Sequence, residues 1–198
     1  MEKIDLSREL KYLYSASARD IKLVEVPLLE FLMIDGYGDP NSTPSFQEDI
    51  NSLYSLSYTI KFTFKKMAIG KDFKVMPLEG LWWMDDLHHK NDWKWTLMML
   101  QPKFVTESHL DNAKERVRRK KNLLSLDHVR LEKLDEGKAV QILHVGPYSQ
   151  EGQAIEQLHE YMANCGYSSN GKHHEIYLSD PKRVSPERWK TILRQPVR

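Results

Sequence analysis

The feature that most constrains the fold of this chain is an internal repeat, because a duplicated unit fixes architecture more firmly than any local propensity. The segment that ends at Gln101-Pro102 aligns without gaps with the segment that ends at Gln195-Pro196, and this alignment places Trp95 on Trp189. Upstream, an apolar run broken by glycine occurs in both copies, at residues 31–37 and 140–148. We therefore expect two related units, each with the order strand, helix, strand, strand.

Helical periodicity locates the helices of these units. Apolar residues recur at steps of three and four from Phe46 to Met67, which predicts one long helix, although residues 59–65 also alternate like a strand. A second helix is predicted over about 150–164. Between the units, residues 106–124 are predicted to form a connecting helix whose apolar stripe ends at Leu124.

Composition and charge exclude several classes of protein. The 198 residues carry 29 Lys and Arg against 28 Asp and Glu, a balance that does not favour nucleic acid as a partner. No apolar stretch approaches the roughly 20 residues that cross a bilayer, and the charged N-terminus lacks the apolar centre of a signal peptide. The single cysteine, Cys165, leaves no intramolecular disulfide. We expect a cytoplasmic protein without a membrane partner, present as a monomer or a weak dimer.

All five tryptophans lie in or beside the last two strands of the two units; they are Trp82, Trp83, Trp93, Trp95 and Trp189. An indole has an apolar body and one polar N–H, which suits the wall of a ligand site as well as an ordinary core. Neighbours on a strand point to opposite faces, so Trp82 and Trp83 cannot both face one ligand. We interpret members of the set Trp82, Trp83, Trp95 and Trp189 as ligand-binding residues.

Glu175 is the carboxylate predicted to take part in catalysis. Strand alternation places its side chain on the same face as Tyr177 and His173. Ile176 and His174 point to the other face, which we expect to be apolar. A carboxylate among aromatic rings loses solvation and becomes a stronger base, whereas the alternative is a solvated or salt-bridged surface acid.

Three further side chains are candidates for ligand contact beside Tyr177. Glu79 holds the corresponding position in the first unit. Tyr148 follows the Gly-Pro turn before the second helix, and Tyr37 follows a glycine in the first unit. Each hydroxyl could donate a hydrogen bond to a ligand carbonyl, although turn tyrosines often only pack against a loop. Tyr148 is predicted to act together with Glu175.

The histidines do not predict a metal site. Neither adjacent pair, His88-His89 or His173-His174, can chelate one ion, because neighbours on a strand point apart. No His-Glu-x-x-His spacing occurs. We expect neither a metal nor an organic cofactor.

Four stretches of the chain form a recognisable pattern: residues 24–36, 144–148, 173–181 and 189–197. The string His-His-Glu-Ile-Tyr-Leu-Ser-Asp-Pro is the most specific of them. Over about residues 20–198 the chain resembles the GyrI-like, or gyrase-inhibitor-like, family of small-molecule-binding proteins. The string is similar to a stand-alone subfamily that lacks a DNA-binding domain.

This resemblance implies an α+β fold in which two pseudo-symmetric strand-helix-strand-strand units form an antiparallel sheet. Helices are expected on one face and a ligand cleft between the units. The implied organisation is a single domain with an N-terminal arm (1–20), unit one (21–102), the connecting helix (106–124) and unit two (127–198).

The resemblance also implies a function. Relatives attached to transcription regulators sense drugs, and some stand-alone members are similar to hydrolases that open the cyclopropane ring of DNA-alkylating compounds inside an aromatic cage. Many members carry an acidic residue for cationic ligands near the position of Trp189, so the tryptophan here favours flat aromatic ligands.

The expected function is therefore the binding of planar, lipophilic small molecules of the drug or toxin type. Hydrolysis of a cyclopropane ring would make the protein a detoxifying enzyme. A non-catalytic sensor or sequestering protein, and a protein-interaction module, remain the alternatives.

Overall fold

The computed structural model describes residues 3–67, 71–84 and 93–198, and these contain ten strands and five α-helices. The strands are β1 (Lys3–Ile4), β2 (Lys22–Val26), β3 (Leu29–Tyr37), β4 (Asp72–Phe73), β5 (Glu79–Met84), β6 (Trp93–Leu100), β7 (Arg130–Leu134), β8 (Gly137–Val145), β9 (His173–Tyr177) and β10 (Lys190–Pro196). The helices are α1 (Leu6–Glu9), α2 (Lys11–Tyr14), α3 (Pro44–Lys66), α4 (Glu107–Arg118) and α5 (Gly152–Asn164).

Eight of the strands form one antiparallel sheet in the order β2-β8-β10-β9-β5-β6-β3-β7. The two predicted units are present as β3-α3-β5-β6 and β8-α5-β9-β10. They meet where β5 pairs with β9, and we call this line the seam. The predicted α+β fold with an antiparallel sheet is confirmed.

The outermost strands are exchanged between the units. β2 directly precedes β3 in the chain, yet it pairs with β8 of the second unit. In the same way β7 precedes β8 but pairs with β3 of the first unit. Each unit therefore completes its part of the sheet with a strand that leads into the other unit, which ties the two together at both edges as well as at the seam.

The repeat is real, but its register differs by two residues from the one predicted. The backbone N–H of Gly38 donates to the carbonyl of Trp93 at 2.8 Å, and the N–H of Gly146 donates to the carbonyl of Trp189 at 3.0 Å. Both glycines have positive φ angles, which glycine adopts readily. Trp93, and not Trp95, is therefore the counterpart of Trp189. The sequence alignment matched the two Gln-Pro pairs, whereas the structurally equivalent residues of the two units are those that make the same main-chain hydrogen bonds.

The long helix α3 is confirmed, and it covers the face of the sheet formed by β3, β5 and β6. Its start fits Pro44, whose missing N–H costs nothing in the first turn of a helix. Leu53, Leu56 and Ile60 are buried against the sheet at helical spacing. Burial of each such side chain contributes about 1.5–3 kcal/mol, which outweighs the short strand-like alternation at its C-terminal end.

Helix α5 covers the same face in the second unit, through Ala154, Leu158 and Met162. Sequence periodicity predicts this helix about two residues too early, because residues 148–150 form a separate 3-10 turn. The opposite face is covered by the N-terminal arm, where Leu13 of α2 packs against the sheet. Helices α3 and α5 therefore pack on one face of the sheet, and the N-terminal arm packs on the other.

The connecting helix is shorter than predicted. It ends at Arg118, and Leu124 lies beyond it with 76% of its surface exposed. Leu110, Ala113 and Val117 are its buried stripe. The basic residues that follow, at 119–121, are exposed to solvent. Among the described residues, no helix combines the length and apolar character that a membrane span requires.

Candidate functional site

A chain of hydrogen bonds crosses the seam on the face that carries α3 and α5. The indole N–H of Trp82 on β5 donates to the hydroxyl of Tyr177 on β9 at 2.9 Å. That hydroxyl donates in turn to Oε2 of Glu175 at 2.8 Å. The strand alternation predicted for Glu175 and Tyr177 is thus present, and Trp82 joins them from the other unit.

Gly80 makes room for this arrangement. It is the residue of β5 that pairs with Glu175 across the seam. A Cβ atom at this position would lie 2.8 Å from Nε1 of Trp82 and 3.2 Å from the hydroxyl of Tyr177. A larger residue would therefore displace the groups that orient the Glu175 carboxylate.

Aromatic rings of the second unit pack in a row that begins at Tyr177, the hydrogen-bond donor to Glu175. The ring of Tyr148 is 5.5 Å from that of Tyr177 in an edge-to-face arrangement and 4.7 Å from that of Trp189. The indole N–H of Trp189 donates to the carbonyl of Val184 at 2.8 Å, which fixes its orientation. Tyr148 remains 38% exposed, so solvent or a ligand can reach this part of the wall.

The polar groups of the seam are strongly desolvated. The Glu175 side chain is only 13% exposed, and its Oε1 lies 3.6 Å from Nε2 of His173. Burial, followed by the charge and hydrogen bond of Glu175, raises the pKa of Tyr177 well above its ordinary value. Burial and the charges of Glu151 and Glu175 raise the pKa of Tyr148 to about 12. Both phenols are thus neutral hydrogen-bond donors near pH 7.

Glu151 is a second carboxyl group of the site, and sequence reasoning missed it as a functional residue. It precedes α5 directly and is 5% exposed. Burial and the nearby charge of Glu175 raise the pKa of Glu151 to about 8, although the hydroxyl of Thr191 opposes part of this change. An acidic residue is common at the start of any helix, so the position of Glu151 before α5 did not distinguish it as a functional residue. The one available signal was its spacing of three residues from Tyr148, which puts both side chains at the same end of the helix.

Other predicted ligand-binding residues lie away from the seam. Trp95 is fully buried under α3, where its ring packs edge-on against Phe46 at 5.1 Å. Trp83 points to the opposite face, and the Lys172 ammonium lies 3.3 Å from its ring centroid. Tyr37 is 78% exposed at the end of β3. These three side chains are not brought together with Glu175.

Glu79 also lies on the opposite face, inside a buried charged cluster. Tyr14 donates to its carboxylate at 2.7 Å, and Nε2 of His174 is 2.9 Å from its other oxygen. His174 reaches Glu136 with its second nitrogen, and Arg194 bonds to the same Glu136 at 3.2 Å. The expectation that this face is apolar is therefore wrong at His174.

This charged cluster holds the N-terminal arm. Besides the Tyr14 hydroxyl, the carbonyl of Leu13 accepts a hydrogen bond from Arg194 at 2.8 Å. Every side chain in it is partnered, which meets the requirement for burying charges. Glu79 thus has a position typical of a structural group.

A cavity of about 260 Å³ opens on the same opposite face, with Leu81, Arg130 and Lys172 in its lining. It lies away from the two carboxyl groups of the seam. Among the described residues, no group of three or more His, Cys, Asp or Glu side chains is arranged to hold a metal ion. The pair His88-His89 lies outside the described residues.

Two solved structures from Listeria innocua resemble the whole chain. One, an uncharacterized conserved protein, is 41% identical with a TM-score of 0.90, over 98% of this chain and 100% of its own. The other, a hydrolase encoded by lin2189, is 40% identical with a TM-score of 0.88, over 100% of both chains. The C-terminal domain of EcmrR is 13% identical with a TM-score of 0.59, over 90% of this chain and 97% of its own, which shows a shared fold alone.

A search of functionally curated proteins finds no significant match. The model of one family, the GyrI-like small molecule binding domain, matches residues 19–198. This range contains both units and every residue of the seam described above. The chain belongs to the GyrI-like small-molecule-binding domain family.

Proposed function

We propose that this protein binds planar, lipophilic small molecules at the seam and hydrolyses a strained ring in them, namely the cyclopropane of DNA-alkylating compounds. The observation that carries the proposal is the Glu175 carboxylate, which is 13% exposed and accepts a hydrogen bond from Tyr177, whose ring packs against Tyr148 and, through Tyr148, connects to Trp189. Ligand sites typically combine an apolar, aromatic wall with a few polar groups of this kind. The hydrolase from Listeria innocua, at 40% identity, supports a hydrolytic reaction.

In the proposed reaction Glu175 is the general base. A water molecule attacks the ring carbon, its oxygen bonds to that carbon, and Glu175 takes its proton. The carbon–carbon bond of the cyclopropane breaks, and its electron pair moves through the conjugated system to the carbonyl oxygen. The Tyr148 hydroxyl, whose pKa is raised to about 12, stabilises the growing charge there as a hydrogen-bond donor. The strain of the substrate supplies part of the driving force.

The reaction is tested by mixing the protein with a cyclopropane-containing alkylating compound and following the mixture by mass spectrometry. We expect a product heavier by one water. Glu175→Gln keeps the shape of the side chain but removes the base, so turnover should fall by a factor of about 10²–10⁴. Glu156→Gln, an exposed position on α5, is the matched control and should leave turnover unchanged. Equal turnover by Glu175→Gln would refute the catalytic role.

The second candidate is a non-catalytic binding protein, which the small-molecule-binding description of the family favours. Such a protein would sense or sequester the same compounds and release them unchanged. Trp82 donates a hydrogen bond to Tyr177 at the seam, and Trp189 packs against Tyr148. A planar compound bound beside these tyrosines should therefore quench tryptophan fluorescence. Quenching without a product would favour this candidate, whereas no quenching by any planar compound would contradict both.

A further inference from the structure

The Glu151 carboxyl group is buried without the partners that an ionised carboxylate needs. Glu151 is the residue directly before α5, and only 5% of it is exposed. Its Oε1 has no hydrogen bond among the described residues. An ionised carboxylate with an unpartnered, desolvated oxygen is strongly disfavoured. The geometry alone therefore favours the protonated form of Glu151.

The surroundings of Glu151 point in the same direction. The Thr191 hydroxyl on β10 lies near enough to Glu151 to lower its pKa, and Nε2 of His173 on β9 lies 3.6 Å from Glu175, yet neither atom makes a hydrogen bond of normal geometry among the described residues. Buried polar groups in folded proteins nearly always obtain a hydrogen-bond partner from protein, water or a ligand, so three such groups on one face beside aromatic rings mark a place where a polar molecule can bind. Glu151 is thus placed to contact what the seam binds.

The titratable groups that act on the polar side chains of the seam are Tyr54 on α3, His173, Glu175 and Tyr177 on β9, and Tyr148 and Glu151 before α5. Among them, the charge of Glu175 acts most directly on Glu151, because two neighbouring carboxylates cannot both ionise cheaply. Burial and this repulsion raise the pKa of Glu151 to about 8, so the group still holds its proton at neutral pH.

The proposed ring opening needs an acid as well as a base. The electron pair released by the broken carbon–carbon bond ends on an oxygen, and that oxygen must gain a proton. Tyr148 can stabilise the charge, but with a pKa of about 12 it is a poor proton donor near pH 7. Glu175 is already assigned to the proton of the attacking water.

We propose that Glu151 is the catalytic acid of this site and gives its proton to the substrate oxygen that receives the electron pair of the broken bond. The proton that Glu175 takes from water then passes to Glu151, which restores both groups and balances the addition of one water. This inference rests on the proposed hydrolysis and adds the second half of its proton transfer. It assigns the two carboxyl groups of the seam to opposite roles, base and acid.

One experiment tests the proton on Glu151 without any ligand. Infrared spectroscopy detects the carbonyl stretch of a protonated carboxyl group, and this band should disappear as the pH rises through about 8. The band should be absent from Glu151→Gln and unchanged in Glu156→Gln. In Glu175→Gln it should disappear at lower pH, because the repelling charge is gone. Absence of such a band in the wild-type protein would overturn the proposal while leaving the proposed hydrolysis standing.

A second experiment tests the transfer itself with the cyclopropane-containing alkylating compound. Glu151→Gln keeps a neutral side chain that can donate a hydrogen bond but cannot supply a proton, so turnover should fall about 10²–10⁴-fold while fluorescence quenching persists. Glu151→Asp retains an acid and should keep more turnover than the glutamine variant. Far-UV circular dichroism checks that both variants are folded.

The outcomes separate this inference from the proposed function. Normal turnover by Glu151→Gln, with turnover still lost in Glu175→Gln, would overturn the acid role alone. No turnover by the wild-type protein would refute the hydrolysis and the acid role together. Loss of turnover in both glutamine variants, with binding kept, is the result that the proposal requires.

Discussion

The charged cluster under the N-terminal arm makes the stability of the fold depend on pH. His174 lies between Glu79 and Glu136, and each of its ring nitrogens is 2.9 Å from a carboxylate oxygen. Burial alone would lower the pKa of His174, but the charge and hydrogen bond of Glu136 and the hydrogen bond of Glu79 outweigh it and raise the pKa to about 8. The protonated imidazole therefore stabilises the folded state.

The sign and size of the effect follow from this value. In the unfolded chain histidine titrates near its usual pKa of about 6.5. A folded-state pKa of about 8 means that the stabilisation is fully present below about pH 6.5 and is lost as the pH rises through about 8. The interval between the two values corresponds to about 2 kcal/mol of the free energy of unfolding. Despite its burial, His174 and Arg194 lower the pKa of Glu136 to about 2, so this carboxylate stays ionised throughout the range.

The perturbation is His174→Gln, compared with the wild-type protein by urea unfolding followed by far-UV circular dichroism. At about pH 6 the variant should be less stable by about 3–5 kcal/mol, since it leaves the buried Glu79 carboxylate without a cation and Glu136 with Arg194 as its one remaining cationic partner among the described residues. At about pH 9 this gap should be smaller by about 2 kcal/mol. Glu151 titrates in the same range, but it is present in both proteins on the other face of the sheet, so its effect cancels in the difference.

His159→Gln is the matched control, because His159 is exposed on α5. Its free energy of unfolding should follow that of the wild-type protein at both pH values. A gap for His174→Gln that stays constant or widens between about pH 6 and about pH 9 would refute the reasoning, since it would mean that His174 holds no extra proton in the folded state.

Three further predictions concern the seam and the arm. In Gly80→Ala the added carbon would lie 2.8 Å from Nε1 of Trp82, so the indole must move; we expect a loss of about 1–3 kcal/mol in urea unfolding and a shift in tryptophan emission, and unchanged emission would contradict the packing described. Tyr14→Phe removes a buried hydrogen bond to Glu79 and should cost about 1–3 kcal/mol, whereas a loss below about 0.5 kcal/mol would show that the arm is not held there. Turnover of the cyclopropane compound should decline as the pH rises through about 8 and Glu151 ionises, and a rate that keeps rising to about pH 10 would speak against a protonated Glu151.

Local patterns in the sequence predict much of this fold, because periodicity depends only on backbone geometry. Steps of three and four residues predict α3, whose buried side chains include Leu53 and Ile60. Alternation along β9 puts Glu175 and Tyr177 on one face, and the hydrogen bond between them agrees. Such inferences need no knowledge of what lies across the sheet.

The long-range pairing of strands decides which of these side chains meet. A shift of two residues in the repeat, set by the hydrogen bond from Gly146 to Trp189, cannot be detected from matched Gln-Pro pairs. The residues next to Glu79 and Glu151 in the sequence do not distinguish these two glutamates from surface acids. In the structure Glu79 lies in the charged cluster under the arm, and Glu151 is buried at the seam. The sequence by itself determined the long helix α3, most of α5 and the shared face of Glu175 and Tyr177 on β9. Only the tertiary structure decided which carboxyl groups share a site, since burial and charge repulsion depend on residues far apart in the chain.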